Sequence, residues 1–354
     1  MARVLGDCGG ISCAILEMPE ALRDDIGDPY PFARRVLARN RCLAQVLLVD
    51  EPDEKSPTDV ERSSNKWLSS VRDCFRMLGV VPEEAFKSKE FSPAAFAIIQ
   101  RDSFTAGEQT LASFALPVMS RLCAGAHECL LPGEGSWLPY ASAALKIFTG
   151  QYERWSRGRD SQNTARFEAF FIGVLEQLVG LNERIVLLID QESTAQRIKA
   201  FQNGELRFDH LEIGSRQFSP ENLPNLCIVR VNTDYRRAPF YSPTTEVQWP
   251  SGLFRWPDQK CTVYSLKQKP ASVGVRSRAS LYSRHSYEGK EGQYQCLASQ
   301  LDEMSVIFKP RDVEALRVAG YAHRLRRFHE QYDGDTQLPF PLHELLLLKK
   351  SVTF

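Results

Sequence analysis

Two aspartates close apolar runs, and their spacing suits metal chemistry. The stretch over 184–190 is apolar after Arg184 and ends in Asp190, followed at once by Gln191 and Glu192. In open α/β sheets ligands gather outside the carboxyl ends of strands, which makes Asp190 a candidate catalytic and metal-binding residue. Asp102 follows the apolar run 96–99 in the same way. Two carboxylates brought side by side could hold Mg²⁺ or Mn²⁺ for two-metal phosphodiester hydrolysis. Each also has a plain structural reading. Asp190 suits the N-cap of a helix starting near Ser193, and Asp102 suits the opening of a turn over 102–109.

A second set of residues suits phosphate rather than metal. Between 255 and 290 the chain carries Arg255, Lys260, Lys267, Lys269, Arg276, Arg278, Arg284 and Lys290, opposed by Asp258 and Glu288. Tyr264, Tyr282 and Tyr287 are interleaved and offer faces for stacking. Such a segment can track a phosphate backbone. The alternative is a solvated basic loop. Smaller clusters lie at Arg230, Arg236 and Arg237, and at Arg324, Arg326 and Arg327. The location of these charges carries the signal, because Lys plus Arg and Asp plus Glu each number 44.

Other chemistry is excluded by what is missing. The nine cysteines are scattered through apolar runs and complete no zinc spacing, which suits reduced thiols in a cytosolic protein. There is no Walker-type phosphate loop, Gly-x-Ser-x-Gly elbow or HExxH helix. Gly133-Glu-Gly135 is too short for a dinucleotide fingerprint. The start of the chain lacks a signal-peptide core, and no apolar run approaches the ~18 residues of a membrane span. The expectation is a soluble, cytoplasmic protein without a membrane partner.

The elements that must position these residues follow from periodicity. Residues 1–90 read as a small α/β unit, with strands over 13–17 and 43–49 and a helix over 31–39. A polar loop over 51–65 leads to a helix over 66–78 that stops at Gly79. The second unit, 91–354, opens with a hairpin of strands over 94–100 and 110–119 and a third strand over 127–131. Helices follow over 138–148 and 164–179; in the latter Phe167, Phe170, Phe171, Val174, Leu175 and Leu178 make one apolar stripe. The run 184–190 reads as a strand buried on both faces. A helix over 194–201, strands over 226–231, 261–266 and 304–308, and a long helix over 311–332 complete the pattern. This order is what an RNase H-like sheet requires, and it also fits other α/β folds. In an RNase H-like sheet the first and fourth strands are neighbours, which would bring Asp102 towards Asp190.

The last part of the chain carries a family resemblance. Tyr321-Ala-His-Arg-Leu-Arg-Arg327, followed by Gln337-Leu-Pro-Phe-Pro-Leu-His343, resembles the end of PIWI domains in Argonaute-like proteins. It is most similar to the prokaryotic PIWI family named for a characteristic Arg and Glu, the pPIWI-RE type. Further matches run in the same order: Ala14-Ile-Leu-Glu-Met-Pro19, Leu43-Ala-Gln45, Phe75-Arg-Met-Leu-Gly79, Leu187-Leu-Ile-Asp190 and Leu226-Cys-Ile-Val-Arg-Val231. The resemblance implies an α/β fold: a small MID-like unit, then an RNase H-like PIWI domain with a mixed sheet flanked by helices. It implies a module that holds a guide strand or RNA–DNA hybrid, in defence against invading DNA. Gln45 would contact a guide 5′ end, and Arg76 falls near a phosphate-binding position. Asp190 resembles the second RNase H carboxylate and His323 a late metal-site histidine, with Arg230 and Glu246 as candidates for the family's Arg and Glu. His323 can also be read as a packed helix residue, Arg230 as a strand-end surface residue and Glu246 as a loop residue. Argonautes usually carry an aspartate inside the first PIWI strand, whereas here Asp102 stands at its edge, so metal-dependent cleavage is in question while binding is not. Implied partners are RNA or DNA, a helicase, a nuclease, or an N-terminal partner subunit. The alternative is an inactive scaffold for such a partner.

Overall fold

The computed structural model describes residues 2–7, 10–19, 30–49, 57–83, 90–101, 103–106, 109–111, 113–158, 160–181, 183–233, 240–241, 252–266, 282–289, 292–328 and 336–351. The first module is a three-stranded sheet of β1 (Ala2–Asp7), β2 (Ser12–Pro19) and β3 (Cys42–Val49), in that order. Helix α1 (Tyr30–Arg39) links the parallel pair β2 and β3. Helix α2 (Pro57–Met77) follows. It begins nine residues before the expected 66, inside the stretch read as a polar loop. Proline is well suited to the first helical position, where its missing N–H costs nothing, and polar composition alone does not oppose a helix. Gly79 ends the segment at φ 80°, and a Cβ there would meet Tyr140 Cβ at 3.2 Å.

The second module is built on one mixed sheet. Its strands are β4 (Ser92–Arg101), β5 (Phe114–Cys123), β6 (Ala126–Leu130), β7 (Leu138–Pro139), β8 (Ile185–Asp190), β9 (Leu226–Asn232), β10 (Gly252–Phe254), β11 (Thr262–Leu266) and β12 (Asp302–Phe308). They lie in the order β10-β11-β12-β9-β8-β4-β5-β6-β7, with Trp155–Ser156 paired to β5. Strands β4, β8 and β9 are parallel and central; the others run antiparallel. This is the mixed sheet expected of the RNase H-like fold. Strand β5 starts at Phe114 rather than 110, because Phe104–Ala106 and Gln109–Leu111 form a small hairpin of their own.

Every residue of β8 is buried. Alternation sends Val186 and Leu188 into one core and Ile185, Leu187 and Ile189 into the other, so the apolar run serves both faces. Helix α3 (Tyr140–Thr149) ends at Gly150 with φ 73° and packs in the first core. Helix α4 (Ser161–Val179) covers the opposite face with Phe167, Phe171, Val174, Leu175 and Leu178. Its N-cap is Asp160, whose carboxylate accepts from the Asn163 amide at 2.9 Å.

Two late helices are shorter than their apolar patterns suggest. Over 194–201 there is only α5 (Gln191–Thr194) and a 3₁₀ turn at Lys199–Phe201. Arg197, 2% exposed, donates to the carbonyls of Arg157 and Gly158, which holds the chain off a continuous helix. Helix α6 (Ala315–Arg324) gives way to a 3₁₀ turn at Leu325–Arg327, where Arg326 turns inward. Helix α7 (Leu342–Ser351) ends the described chain. No helix among the described residues is long and apolar enough to cross a membrane.

Candidate nucleic-acid interface

The carboxyl ends of β4, β8 and β9 share one edge of the sheet. Asp190 stands there, buried, with its carboxylate accepting from the Ser193 amide at 3.1 Å as the cap of α5. Ser193 Oγ accepts in turn from the Ile98 amide of β4 at 3.0 Å. Burial pushes the Asp190 carboxyl above its ordinary value, against the pull of the Ser193 hydrogen bonds. The capping geometry is therefore realised, and it fixes the junction of β4 with α5.

The register shows what faces Asp190. Strand β8 pairs with β4 up to Ile189 against Phe96, so the next step sets Asp190 beside Ala97. Ala97 lies in the core on the same face as Leu188. No residue of β4 is a carboxylate, and Asp102 lies outside the described residues. His323 is elsewhere: its Nδ1 is 2.8 Å from Ser265 Oγ on β11, three strand steps from β8. Mg²⁺ and Mn²⁺ need several oxygen ligands converging on one point. The described part of the expected set supplies one capped aspartate, so it does not fit that ion. No cluster of three metal-ligating side chains occurs among the described residues.

Gln45 and Arg76 are brought together, through Asp73. Leu43 and Leu47 point into the core, and by alternation Gln45 shares their face of β3, towards α2. Gln45 Nε2 donates to Asp73 at 3.0 Å, and Arg76 Nε donates to the other oxygen of Asp73 at 2.9 Å. Arg76 Nη1 donates to Glu344 of α7 at 2.9 Å, and the Tyr140 hydroxyl donates to the same Glu344 oxygen at 3.3 Å. Burial works against the Arg76 charge, yet Glu344, Tyr140 and Asp73 hold its guanidinium above the ordinary value. Burial raises the Asp73 carboxyl against the pull of Arg76. Gln45 and Arg76 keep partial exposure, while Asp73, Tyr140 and Glu344 are buried.

Arg230 is not at the surface. It is 2% exposed, and its guanidinium donates to the Phe201 carbonyl, to Asn203 and to Glu303, the last at 2.8 Å. Its strand position points the side chain under the Lys199–Phe201 turn, where it holds that turn to β12. Its acidic partner is thus Glu303; Glu246 lies outside the described residues. Arg326, from the late basic cluster, is likewise buried against Asp302 at 2.8 Å and donates to Ser265 Oγ at 2.6 Å. Lys267, Lys269, Arg276 and Arg278 lie outside the described residues. Arg284 is in the strand Tyr282–Gly289, opposite Leu297.

A different group of arginines meets where α1 approaches the β4–β5 hairpin. Arg101 ends β4 opposite Phe114. The guanidinium of Arg154 lies 5.8 Å from the Phe114 ring and 5.7 Å from the Tyr152 ring. Those two rings are 5.7 Å apart. Helix α1 packs on α3, with the Arg34 guanidinium 4.1 Å over Phe148, and this seats Arg35 towards the same point. Burial lowers the Arg101 pKa, and Arg35 and Arg154 lower it further. The Tyr152 phenol is raised by burial while Arg154, Arg101 and Arg35 all act to lower it. Sequence patterning missed this group because its members are isolated from one another along the chain.

Two family models match the sequence. Residues 94–353 match the one described as the RNaseH domain of pPIWI_RE, and residues 5–85 match the MID domain of pPIWI_RE. No curated protein matches. Among solved structures, Marinitoga piezophila Argonaute in complex with a 5′-OH guide RNA is similar at 10% identity and a TM-score of 0.44, over 96% of this chain and 40% of that one. The C-terminal lobe of a budding yeast Argonaute aligns at 9% identity and a TM-score of 0.44, over 96% and 62%. Drosophila Piwi aligns at 10% identity and a TM-score of 0.46, over 96% and 39%. The chain spans less than two thirds of the length of each.

Proposed function

The chain belongs to the pPIWI-RE family, and from that premise we propose that it holds a nucleic-acid guide strand or an RNA–DNA hybrid across the face shared by its two modules. The observation that carries this reading is the single core joining them. Cys13, Leu43 and Met77 of the first module pack in one cluster with Tyr140, Leu345 and Leu348 of the second. The Arg76–Glu344 pair closes that contact. A strand laid over both modules thus meets a surface whose halves are already set relative to each other, so less ordering cost falls on binding.

A role in defence against invading DNA, beside a helicase or nuclease, belongs to the same proposal and rests on the family. Metal-dependent endonuclease activity at Asp190, Asp102 and His323 does not enter it, because the described part of that set does not fit a metal.

The test is fluorescence anisotropy of single-stranded DNA, single-stranded RNA, duplex DNA and RNA–DNA hybrid, each with and without a 5′ phosphate, at low and moderate salt. The expected result is a preference for one strand type or for the hybrid, with affinity falling steeply as salt rises. Absence of binding in every case would overturn the proposal in favour of a scaffold subunit for a partner helicase or nuclease.

A further inference from the structure

Arginines at a protein surface are ordinarily matched by carboxylates, and most exposed ones here are. Arg166 pairs with Glu153, Arg216 with Glu176 and Arg317 with Glu90. Arg35, Arg101 and Arg154 follow another rule: the fold brings three guanidiniums from distant parts of the chain to one place. Arg35 comes from α1 of the first module, Arg101 from the end of β4, and Arg154 from the segment after α3. Each adds to the positive field at the others, so the grouping costs the free protein stability. A cluster held against that repulsion suits a ligand that supplies the missing negative charge.

The surroundings narrow the ligand class. Guanidinium forks match phosphate oxygens in bidentate geometry. Arg154 is exposed, while Arg35, Arg101 and Tyr152 are half-buried, so the group is open on one side and supported on the other. Tyr152 presents a ring beside the guanidiniums, as single-strand binding surfaces do for a base or sugar. The group also sits at the carboxyl end of β4, the edge where ligands of open α/β sheets gather. Arg76 offers the opposite environment. Its guanidinium is already bound to Asp73 and Glu344, so a phosphate placed there would lie against two carboxylates.

We infer that Arg35, Arg101 and Arg154, with Tyr152 at their rim, form a phosphate-binding site that receives the backbone of the bound strand at the junction of the two modules. The inference rests on the nucleic-acid-holding reading above and assigns its anion contacts to residues other than Arg76.

The test compares the full chain with R35Q/R101Q/R154Q, and with R166Q/R317Q as a control of equal chemistry. Binding of a labelled single strand is followed by anisotropy across a salt series. The triple variant is expected to bind at least about tenfold more weakly at low salt. Its plot of log affinity against log salt should be shallower by about 2, since each neutralised phosphate on a single strand contributes ~0.7. The control should match the wild type. With no ligand present, the triple variant should melt no lower than the wild type, because it loses repulsion and no partner charge. If its melting point falls, R35Q/R154Q, which leaves half-buried Arg101 in place, serves the same comparison. Affinity and slope equal to wild type in folded variants would overturn the site while leaving the functional reading intact. Failure of the wild type to bind any strand would overturn both. Displacement of the strand by inorganic phosphate, beyond that of chloride at equal ionic strength, would overturn the backbone assignment in favour of a small-anion site.

Discussion

The guanidinium of Arg76 donates to the Glu344 carboxylate at 2.9 Å, tying the second helix of the first module to the last helix of the second. Glu344 is 2% exposed and also accepts from Tyr140, so it is the hub of the junction. Glu344→Ala would leave a buried guanidinium short of a partner, at a cost of about 3–5 kcal/mol. Glu344→Gln keeps an acceptor oxygen and should cost less, about 1–3 kcal/mol. Urea midpoints are expected in the order wild type, Glu344→Gln, Glu344→Ala. Equal midpoints for all three would show that the pair does not hold the modules together.

Asp190 gives a pH prediction whose sign follows from its burial. Its folded carboxyl is raised above the ordinary 3.8, so the folded state holds its proton more tightly than the unfolded chain. The contribution is complete below the ordinary value and is lost as pH rises through the folded one. Asparagine caps a helix as well as aspartate and carries no charge to bury. Asp190→Asn should therefore equal or exceed the wild type in stability at neutral pH, with a flatter acid profile. Asp190→Ala loses the cap and should cost about 1 kcal/mol. Thermal melts from acid to neutral pH check both; a neutral-pH loss in Asp190→Asn as large as in Asp190→Ala would refute the capping account.

Arg230 should behave as a structural residue. Its guanidinium holds the Phe201 carbonyl, Asn203 and Glu303 together from a buried position. Arg230→Met would strand the partly buried Glu303 and release the 199–203 turn, at about 3–5 kcal/mol. Strand affinity of the protein that remains folded should not change. A selective loss of affinity at unchanged stability would return Arg230 to the binding surface.

What could be read along the chain tracks how local each feature's cause is. The run ending at Asp190 announced a doubly buried strand because both of its faces really are core. The Phe167 to Leu178 stripe announced α4 for the same reason. The helix expected over 194–201 failed on a distant cause, the reach of Arg197 to carbonyls some 40 residues earlier in the chain. The basic run from 255 to 290 was conspicuous by density alone. The Arg35, Arg101 and Arg154 group was not, since only the β4–β5 register and the packing of α1 on α3 assemble it. Likewise Gln45 and Arg76 could be singled out separately, but Asp73 and Glu344, which decide what Arg76 can bind, carried no mark of their role.

His323 and Arg326 share Ser265, and that sharing yields the last prediction. Arg326 donates to Ser265 Oγ at 2.6 Å and pairs with Asp302 at 2.8 Å, while His323 Nδ1 lies 2.8 Å from the same hydroxyl. Asp302 and Arg326 are both nearly fully buried. Removing the carboxylate leaves a buried cation, so Asp302→Ala should cost about 3–5 kcal/mol. His323→Ala leaves Ser265 still bonded to Arg326 and should cost only about 1–3 kcal/mol. A packing role for His323 further requires that Mn²⁺ shift the melting point of wild type and His323→Ala equally. A Mn²⁺-dependent stabilisation present in the wild type and lost in His323→Ala would make this histidine a metal ligand instead.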